Sequence, residues 1–354
     1  MNTNSIDIRN FVDINIINKK TVAKNKTTRD VVALFTTESG YTGDIYSDIT
    51  SISTTNTKKY AEIYFNNGGV SLRIETYTAT SDLLTKVKAL SNDIIVVAVV
   101  SDKATIDIVK TLATSYNTSS VYGVNEKIFL ATTTVSDATD YSAVKNLAVK
   151  LNTVGNEMTI AAYLSQVDVS KENNIKDYAF TQEVITDETE YTDENVKTAI
   201  SKHYNISVNI NGITRNIGGD LTTGEDLINK YTLIILHQTL SNAIFTVLSQ
   251  KLKNQEAINT IYTVMSEELN KYVYNGYLQT DKVWTNDDLT VVKNNVKYTL
   301  IEKGTALNKG YKIKILPFNS LIDTEKKAHK LPYIYVVLAD AYDIRQITIE
   351  GEVI

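Results

Sequence analysis

The chain contains no cysteine and only two prolines among its 354 residues. Without cysteine there is neither a disulfide framework nor a thiolate metal site, which excludes the stapled secreted scaffolds and the zinc-finger classes. Histidine is almost as scarce. His203, His237 and His329 are the whole complement, and none lies in an HExxH pattern or beside a nucleophile motif. His237 falls within an apolar helical stretch and reads as a core or interface histidine; the other two sit in polar surroundings and read as solvated. The glycine-containing stretches "NGGVSLR" and "NIGGDLTTGED" fit neither GxGxxG nor GxxxxGK(S/T), so they read as turns rather than phosphate cradles. No window approaches the roughly 20 apolar residues of a membrane span. "MNTNSIDIRN" lacks the charged-then-apolar order of a secretory signal, so the expectation is a chain that folds in the cytoplasm without membrane insertion. A net charge of −5 argues against a nucleic-acid coat. The 22 tyrosines are spread along the chain and form no RNA-binding signature. The carboxylates crowded into "TDETEYTDEN" read first as a solvated loop, with an incidental Ca²⁺ site as the alternative. Neither a cofactor nor a catalytic constellation is expected.

Hydrophobic residues make up 43% of the chain, and the length suits two domains with real cores. From "VVALFTTESG" onward, strands and helices alternate. "KKYAEIYFNNGGVSLRIE" predicts a helix ending near Asn66–Gly69 and then a strand, with the glycine pair reversing the chain. "SDLLTKVKALSN" has helical spacing, with Ser81 or Asp82 as N-cap. "DIIVVAVVSD" predicts a buried strand, "KATIDIVKTLATSY" a helix and "KIFLATTTV" another strand. "DYSAVKNLAVKLN" is then expected to be helical and "EMTIAAYLSQV" a strand. This alternation over roughly residues 30–170 predicts an α/β domain with parallel strands.

The texture then changes. The polar, acidic stretch from Val167 to Asn195 reads as a connection between domains. Asn211-Gly212, between alternating runs, is a hairpin signal. A long helix is expected next, opened by Thr222 or Thr223 with Glu225; its stripe of Leu233, Leu236, Leu240, Ile244 and Leu248 reads as a core face. A second helix ends at Gly276. Strands around "YTLIEKG" and "YKIKILPF", the charged "DTEKKAHK" and the strand "LPYIYVVLADA" complete an α+β region.

Both ends of the chain read as strands with one buried face. Ile6, Ile8, Val12, Ile14 and Ile16 fall on alternate positions near the start. Ile347, Ile349 and Val353 do so near the end, with Ile344 just before them. No turn signal joins either tail to a neighbour in sequence, so each is expected to lack a partner within its own chain.

The order of these features resembles contractile tail sheath proteins, the outer sleeve of contractile phages and of phage-tail-like bacteriocins. The residues that carry the likeness are Asn211-Gly212, Gly224-Glu225-Asp226, Gly276, Pro332 and the run from Asp340 to the end. In the first half, "VVALFTTESG" and "YFNNGGVSLRIE" are similar to the family's early strand and its Gly-Gly passage toward a strand with Arg. One departure is Ala339-Asp340-Ala341, where many members have Ala-Gly-Ala. The resemblance implies an α+β protein of two domains. Residues 1–22 would be a strand-exchange arm and linker, 23–192 an outer α/β domain, 193–339 an inner α+β domain facing the tube, and 340–354 a second arm. It further implies that the arm residues named above add strands to neighbouring subunits. The implied partners are further copies in a helical polymer of hexameric rings, a tail tube protein, and baseplate and terminator proteins. Such a particle is assembled in the bacterial cytoplasm and then released. Lys326, Lys327 and Lys330 would meet an acidic tube surface, against the simpler reading of a solvated helix end.

Three other readings stand beside this one. A nucleotide-binding α/β enzyme would hold its ligand near Ser101 and Asp102, after the strand in "DIIVVAVVSD". A surface adhesin would explain the Thr- and Asn-rich texture but needs export. A tube or baseplate protein would share the strand exchange.

Overall fold

The computed structural model describes residues 12–15, 31–117, 125–134, 136–137, 139–151, 153–168, 178–179, 181–185, 191–248, 254–274, 276–327, 330–339 and 344–351. The chain divides into two compact units. Lys26–Val167 with Ile175–Tyr231 form an α/β unit; Met1–Asn25, Asp168–Asn174 and Thr232–Ile354 form a terminal unit. The first strand, β1 (Val12–Asn15), belongs to the terminal unit.

The α/β unit is built from β2 (Val32–Thr36), β3 (Thr42–Tyr46), α1 (Thr55–Asn66), β4 (Leu72–Thr76), α2 (Thr80–Ala89), β5 (Val96–Val99), α3 (Ile106–Asn117) and β6 (Ile128–Thr133). It continues through β7 (Leu147–Leu151), α4 (Met158–Gln166), α5 (Asp193–Ser201) and the hairpin β8 (Ile206–Ile210) and β9 (Ile213–Ile217). Its sheet has the order β3-β4-β2-β5-β6-β7. All neighbours are parallel except β3, which closes one edge antiparallel to β4. Every residue of β2, β5, β6 and β7 is buried, as parallel strands covered on both faces must be. At the end of α1, Gly68 takes a positive φ of 82°. Gly69 is needed for a different reason: a Cβ there would lie 2.3 Å from the Tyr64 ring. Asn211 and Gly212 both take positive φ, the I′ geometry that the Asn-Gly pair announces.

Two adjacent expectations are reversed. Where a helix is expected the chain forms β7 (Leu147–Leu151) after a turn, and where a strand is expected it forms α4 (Met158–Gln166). In α4, seven of nine residues are buried, Met158 to Ala162 without a break, so no polar face marks the helical period. β7 is buried on both faces, so its alternation is hidden as well; Lys150, which looks like a surface residue in sequence, is fully buried. Short apolar runs of this kind are ambiguous by periodicity alone.

The expected domain boundary at 192/193 also moves. Residues 193–231 belong to the α/β unit, because Asn205 forms a parallel bridge with Lys150 of β7 and Ala199, Tyr204 and Ile206 join the core beneath β5, β6 and β7. The acidic stretch before them is not simply a linker, since Tyr178 and Glu183 are buried in this unit. It ends at Thr192, which caps α5 through a reciprocal capping box with Asn195.

The terminal unit contains most of α6 (Leu227–Leu248), α7 (Asn254–Tyr274), β10 (Lys282–Val283), β11 (Leu289–Lys293), β12 (Val296–Ile301), β13 (Ala306–Leu307) and β14 (Tyr311–Ile315). The one-turn helix α8 (Asp323–Lys327), β15 (Ile334–Ala339) and β16 (Ile344–Gly351) follow. The division between units falls inside α6, between Tyr231 and Thr232. Asp226, not Thr222 or Thr223, caps α6: its carboxylate accepts the Asn229 N–H at 2.7 Å. Thr222 is instead buried against β7, donating its N–H to Leu147. In α2, Asp82 lies inside the first turn rather than at the cap and accepts the Thr78 N–H at 3.0 Å. Leu233, Leu236, Leu240 and Ile244 are buried as expected, and so is His237; the side chain of Leu248 lies outside the described residues. No described helix is long and apolar enough to cross a membrane.

Glu157, fully buried at the start of α4, is pushed up to about 8 by desolvation, which outweighs its hydrogen bond from the Gly155 N–H. The folded protein therefore keeps a proton that the unfolded chain releases above about 4.5. This contribution is fully present below that lower value and is lost as pH rises toward the upper one, at about 1.4 kcal/mol per pH unit. Thermal unfolding of Glu157→Gln should accordingly show a weaker loss of Tm between pH 5 and 8 than the parent, with the variant the more stable of the two at pH 8. Equal pH slopes would contradict this assignment.

Candidate assembly interface

Two places in the fold compete for a functional reading. The first is the carboxyl end of the parallel sheet, where doubly wound folds bind ligands at helix N-termini. Here the chain supplies its own anion. Glu38, just after β2, accepts the N–H groups of Asn56 and Thr57 at the start of α1, at 3.2 and 2.9 Å, together with the Thr57 hydroxyl. Partial burial opposes ionisation of Glu38, but hydrogen bonds from Thr54, Thr57 and Asn56 outweigh it and hold the group below its ordinary value. At Ser101, the residue favoured by the enzyme reading, both the N–H and the carbonyl engage the Tyr60 hydroxyl, at 3.2 and 3.3 Å. The position a phosphate would take is thus filled by a side chain of the protein. Among the described residues no group of three or more His, Asp or Glu could hold a metal ion.

The second place is the sheet of the terminal unit, with the order β1-β16-β15-β14, antiparallel throughout. β15 is its centre, and all six of its residues are buried. Val337 and Ala339 pack with Trp284, Ile301 and Leu307. Tyr335 packs with Leu300 and Leu316. On β14, Tyr311 donates its hydroxyl to Asn270 of α7 at 2.8 Å. Register aligns Ile315 with Ile334, Ile334 with Ile349, and Ile349 with Ile14, a single isoleucine row across four strands.

The expectation that the terminal strands lack a partner within their own chain is not met. β16 pairs with the preceding strand β15 over six residue pairs, and β1 pairs with β16 over four. The reason is the burial of β15: a strand covered on both faces cannot leave one edge of its backbone unpaired without losing about 1–3 kcal/mol per orphaned group. Of the predicted arm residues, Val12 and Ile14 lie in β1, and Ile344, Ile347 and Ile349 in β16. Ile6, Ile8, Ile16 and Val353 lie outside the described residues.

The three lysines lie on and just after α8. Lys326 lies 3.6 Å from Asp323 within α8, Lys327 is exposed on the same turn, and Lys330 donates its N–H to the Glu325 carbonyl. His329 lies outside the described residues. Glu325, which the sequence reading passed over, is the anchor of the segment. It accepts from the Ile322 N–H, the Tyr333 hydroxyl and the Asn294 side-chain amide at 3.0, 2.6 and 3.3 Å. Its partial burial is outweighed by these bonds, which hold it below the ordinary carboxylate value. With Ile322 rather than a Ser or Thr three residues before it, Glu325 carried no capping-box signature in the sequence.

Comparison with solved structures places the fold. Contractile-sheath proteins share this fold. A sheath tail protein from Desulfitobacterium hafniense superposes with a TM-score of 0.60 at 8% identity, covering 95% of this chain and 99% of the other. A chain of the anti-feeding prophage baseplate matches with a TM-score of 0.61 at 13% identity, over 92% and 94% of the two chains. The sheath complex of an extracellular contractile injection system in its contracted state gives a TM-score of 0.60 at 14% identity, over 92% of each. No protein-family model and no curated protein matches the sequence.

If Glu325 anchors α8, Glu325→Gln should weaken the turn without unfolding the unit. Tryptic cleavage after Lys326 and Lys327 should then accelerate several-fold while the Tm changes little; unchanged cleavage would remove Glu325 from this role.

Proposed function

We propose that the chain is the structural subunit of a contractile sheath, polymerising helically around a tail tube in a phage or bacteriocin particle. One observation carries this reading: a sheath fold over more than nine-tenths of the chain, in which two strands of a four-stranded sheet come from the chain's two ends. β1 and β16 pair here with their own chain. Exchanging them between identical copies would preserve every backbone pair and the isoleucine row while linking one subunit to the next, the low-cost route of domain swapping. Ile6, Ile8, Val12, Ile14, Ile16, Ile344, Ile347, Ile349 and Val353 are then inter-subunit positions. The segment from Lys19 to Asp30 serves as the tether that lets subunits rotate while the strands stay paired.

Contraction is rigid-body repacking of linked subunits from an extended helix into a shorter one of lower free energy. That energy is stored at assembly, so the mechanism requires no nucleotide site, in keeping with a sheet end filled by Glu38. Tube, baseplate and terminator proteins are the remaining partners. Assembly takes place in the bacterial cytoplasm, before release.

Negative-stain microscopy should show long hollow tubes from the full chain, and only monomers or short rings from a chain ending at Ala339. Monodisperse monomers from both would sink the proposal. Arrest of the full chain at single rings would favour a baseplate component, the assembly from which one neighbour comes.

The lysines carry a separate prediction. Lys326→Glu, Lys327→Glu and Lys330→Glu combined should abolish sheath binding to purified tubes while leaving polymerisation of the sheath alone intact. Retained tube binding would dismiss them as the tube contact.

A further inference from the structure

One buried cluster of the α/β unit is used neither by the polymer reading nor by the fold's general architecture. Lys150 on β7 is fully buried, and its Nζ lies 2.7 and 2.8 Å from the two carboxylate oxygens of Glu183. The same Nζ lies 2.8 Å from the side-chain carbonyl oxygen of Asn216 on β9 and 3.2 Å from the Tyr178 hydroxyl. Glu183 also accepts from the hydroxyls of Ser207, at 2.7 Å, and Tyr178. The Tyr178 ring lies beneath the amine, 5.4 Å away, and Tyr163 packs on that ring. Asn216 is wholly buried, and its amide nitrogen has no hydrogen-bond partner.

An ion pair between Lys150 and Glu183 explains two of these three residues. It does not explain why an asparagine presents its carbonyl to the amine while its NH₂ group points into dry protein with nothing to receive it. Leaving a buried amide donor orphaned is unfavourable. An amine, an amide carbonyl and a carboxylate able to carry a proton between them, held together away from water, are also the complete set for one reaction. We propose that Lys150 and Asn216 form an intramolecular isopeptide bond, with Glu183 as the proton carrier.

The step balances without any co-reactant. Glu183 takes a proton from the Lys150 ammonium along the existing hydrogen bond, leaving a neutral amine beside a neutral acid. Desolvation pushes the Lys150 amine down, toward its uncharged form. At Glu183 burial is outweighed by the Lys150 charge and the donated hydrogen bonds, which hold it down; the uncharged pair is therefore the reactive minority form. The Nζ lone pair attacks Cγ of Asn216, and the new C–N bond forms as the bond from Cγ to the amide nitrogen breaks. Glu183 passes its proton to the departing nitrogen, which leaves as ammonia, and takes up the second Nζ proton, so that the bond ends as a neutral amide beside a neutral acid. The amine already lies 2.8 Å from the oxygen of the carbonyl it would attack, so the reaction gains from proximity what it lacks in intrinsic reactivity. The orphaned NH₂ group disappears with the leaving group.

Such a bond would staple β7 of the parallel sheet to β9 of the hairpin, closing the loop from residue 150 to residue 216. The rest of this loop includes Tyr178 and Glu183, so the connection between the sheet and the hairpin becomes covalent. The inference stands independently of the sheath reading, and gives a load-bearing subunit a part that cannot be pulled open.

Mass spectrometry of the full chain, purified and then denatured, tests it. The intact protein should be lighter than its sequence by one ammonia. A tryptic digest should contain a branched peptide joining residues 146–171, uncleaved at Lys150, to residues 216–230. Glu183→Gln should restore the sequence mass and the two separate peptides, with Lys150 and Asn216 both still present. Unlinked peptides ending at Lys150 and beginning at Asn216 from the folded parent would overturn the proposal and leave a buried ion pair. So would an ammonia loss mapped elsewhere, such as a succinimide at Asn211-Gly212. Because the parent digest decides the matter by itself, the proposal stays testable even if Glu183→Gln fails to fold.

Discussion

The terminal unit depends on satisfying both backbone edges of β15. All six residues of that strand are buried, so neither water nor side chains can replace a neighbouring strand on either side. β14 supplies one edge from nearby in sequence. β16 supplies the other edge. A strand in the place of β16 is therefore a structural necessity for this sheet. That single requirement connects the core around Trp284, Val337 and Ala339 to the question of assembly.

How much of this was legible in the sequence depended on whether an element had a polar face. β1 and β16 were visible because their isoleucines alternate with polar residues, and the hairpin of β8 and β9 because Asn211-Gly212 has one favoured conformation. β7 and α4 were exchanged because both are buried nearly all round. Such a run carries composition but no period. The domain boundary was misplaced for a related reason. The chain from 178 to 183 looks like solvated linker, yet Tyr178 and Glu183 are buried there by a lysine some thirty residues earlier. Polar residues that satisfy one another across the fold are invisible to any local window.

The candidate interface was legible in its residues but not in its pairing. Alternation placed Ile14, Ile347 and Ile349 on strands, and could not say which strand each would meet. Register comes from opposed side chains and from the requirements of the partner, here the row from Ile315 through Ile334 and Ile349 to Ile14. The lysines of α8 show the converse. Their charge was conspicuous in sequence, whereas the residue that organises the segment is Glu325, through Tyr333 and Asn294. At the carboxyl end of the parallel sheet, Glu38 places its own carboxylate on the N-terminus of α1, a contact that no local pattern announced.

The two sheets answer opposite mechanical demands. In the α/β unit, β3 closes one edge and the bridge from Lys150 to Asn205 continues the other, so the sheet is completed by internal segments. The sheet of the terminal unit is completed by β1 and β16, far apart in the sequence. An antiparallel pair pulled along its strands loads its hydrogen bonds in parallel, and six pairs between β15 and β16 must then fail together rather than one at a time. Were the pair exchanged between copies, as proposed, it would make a joint that is strong along the strand and free to pivot beyond it, the two properties that shortening by rigid-body movement requires.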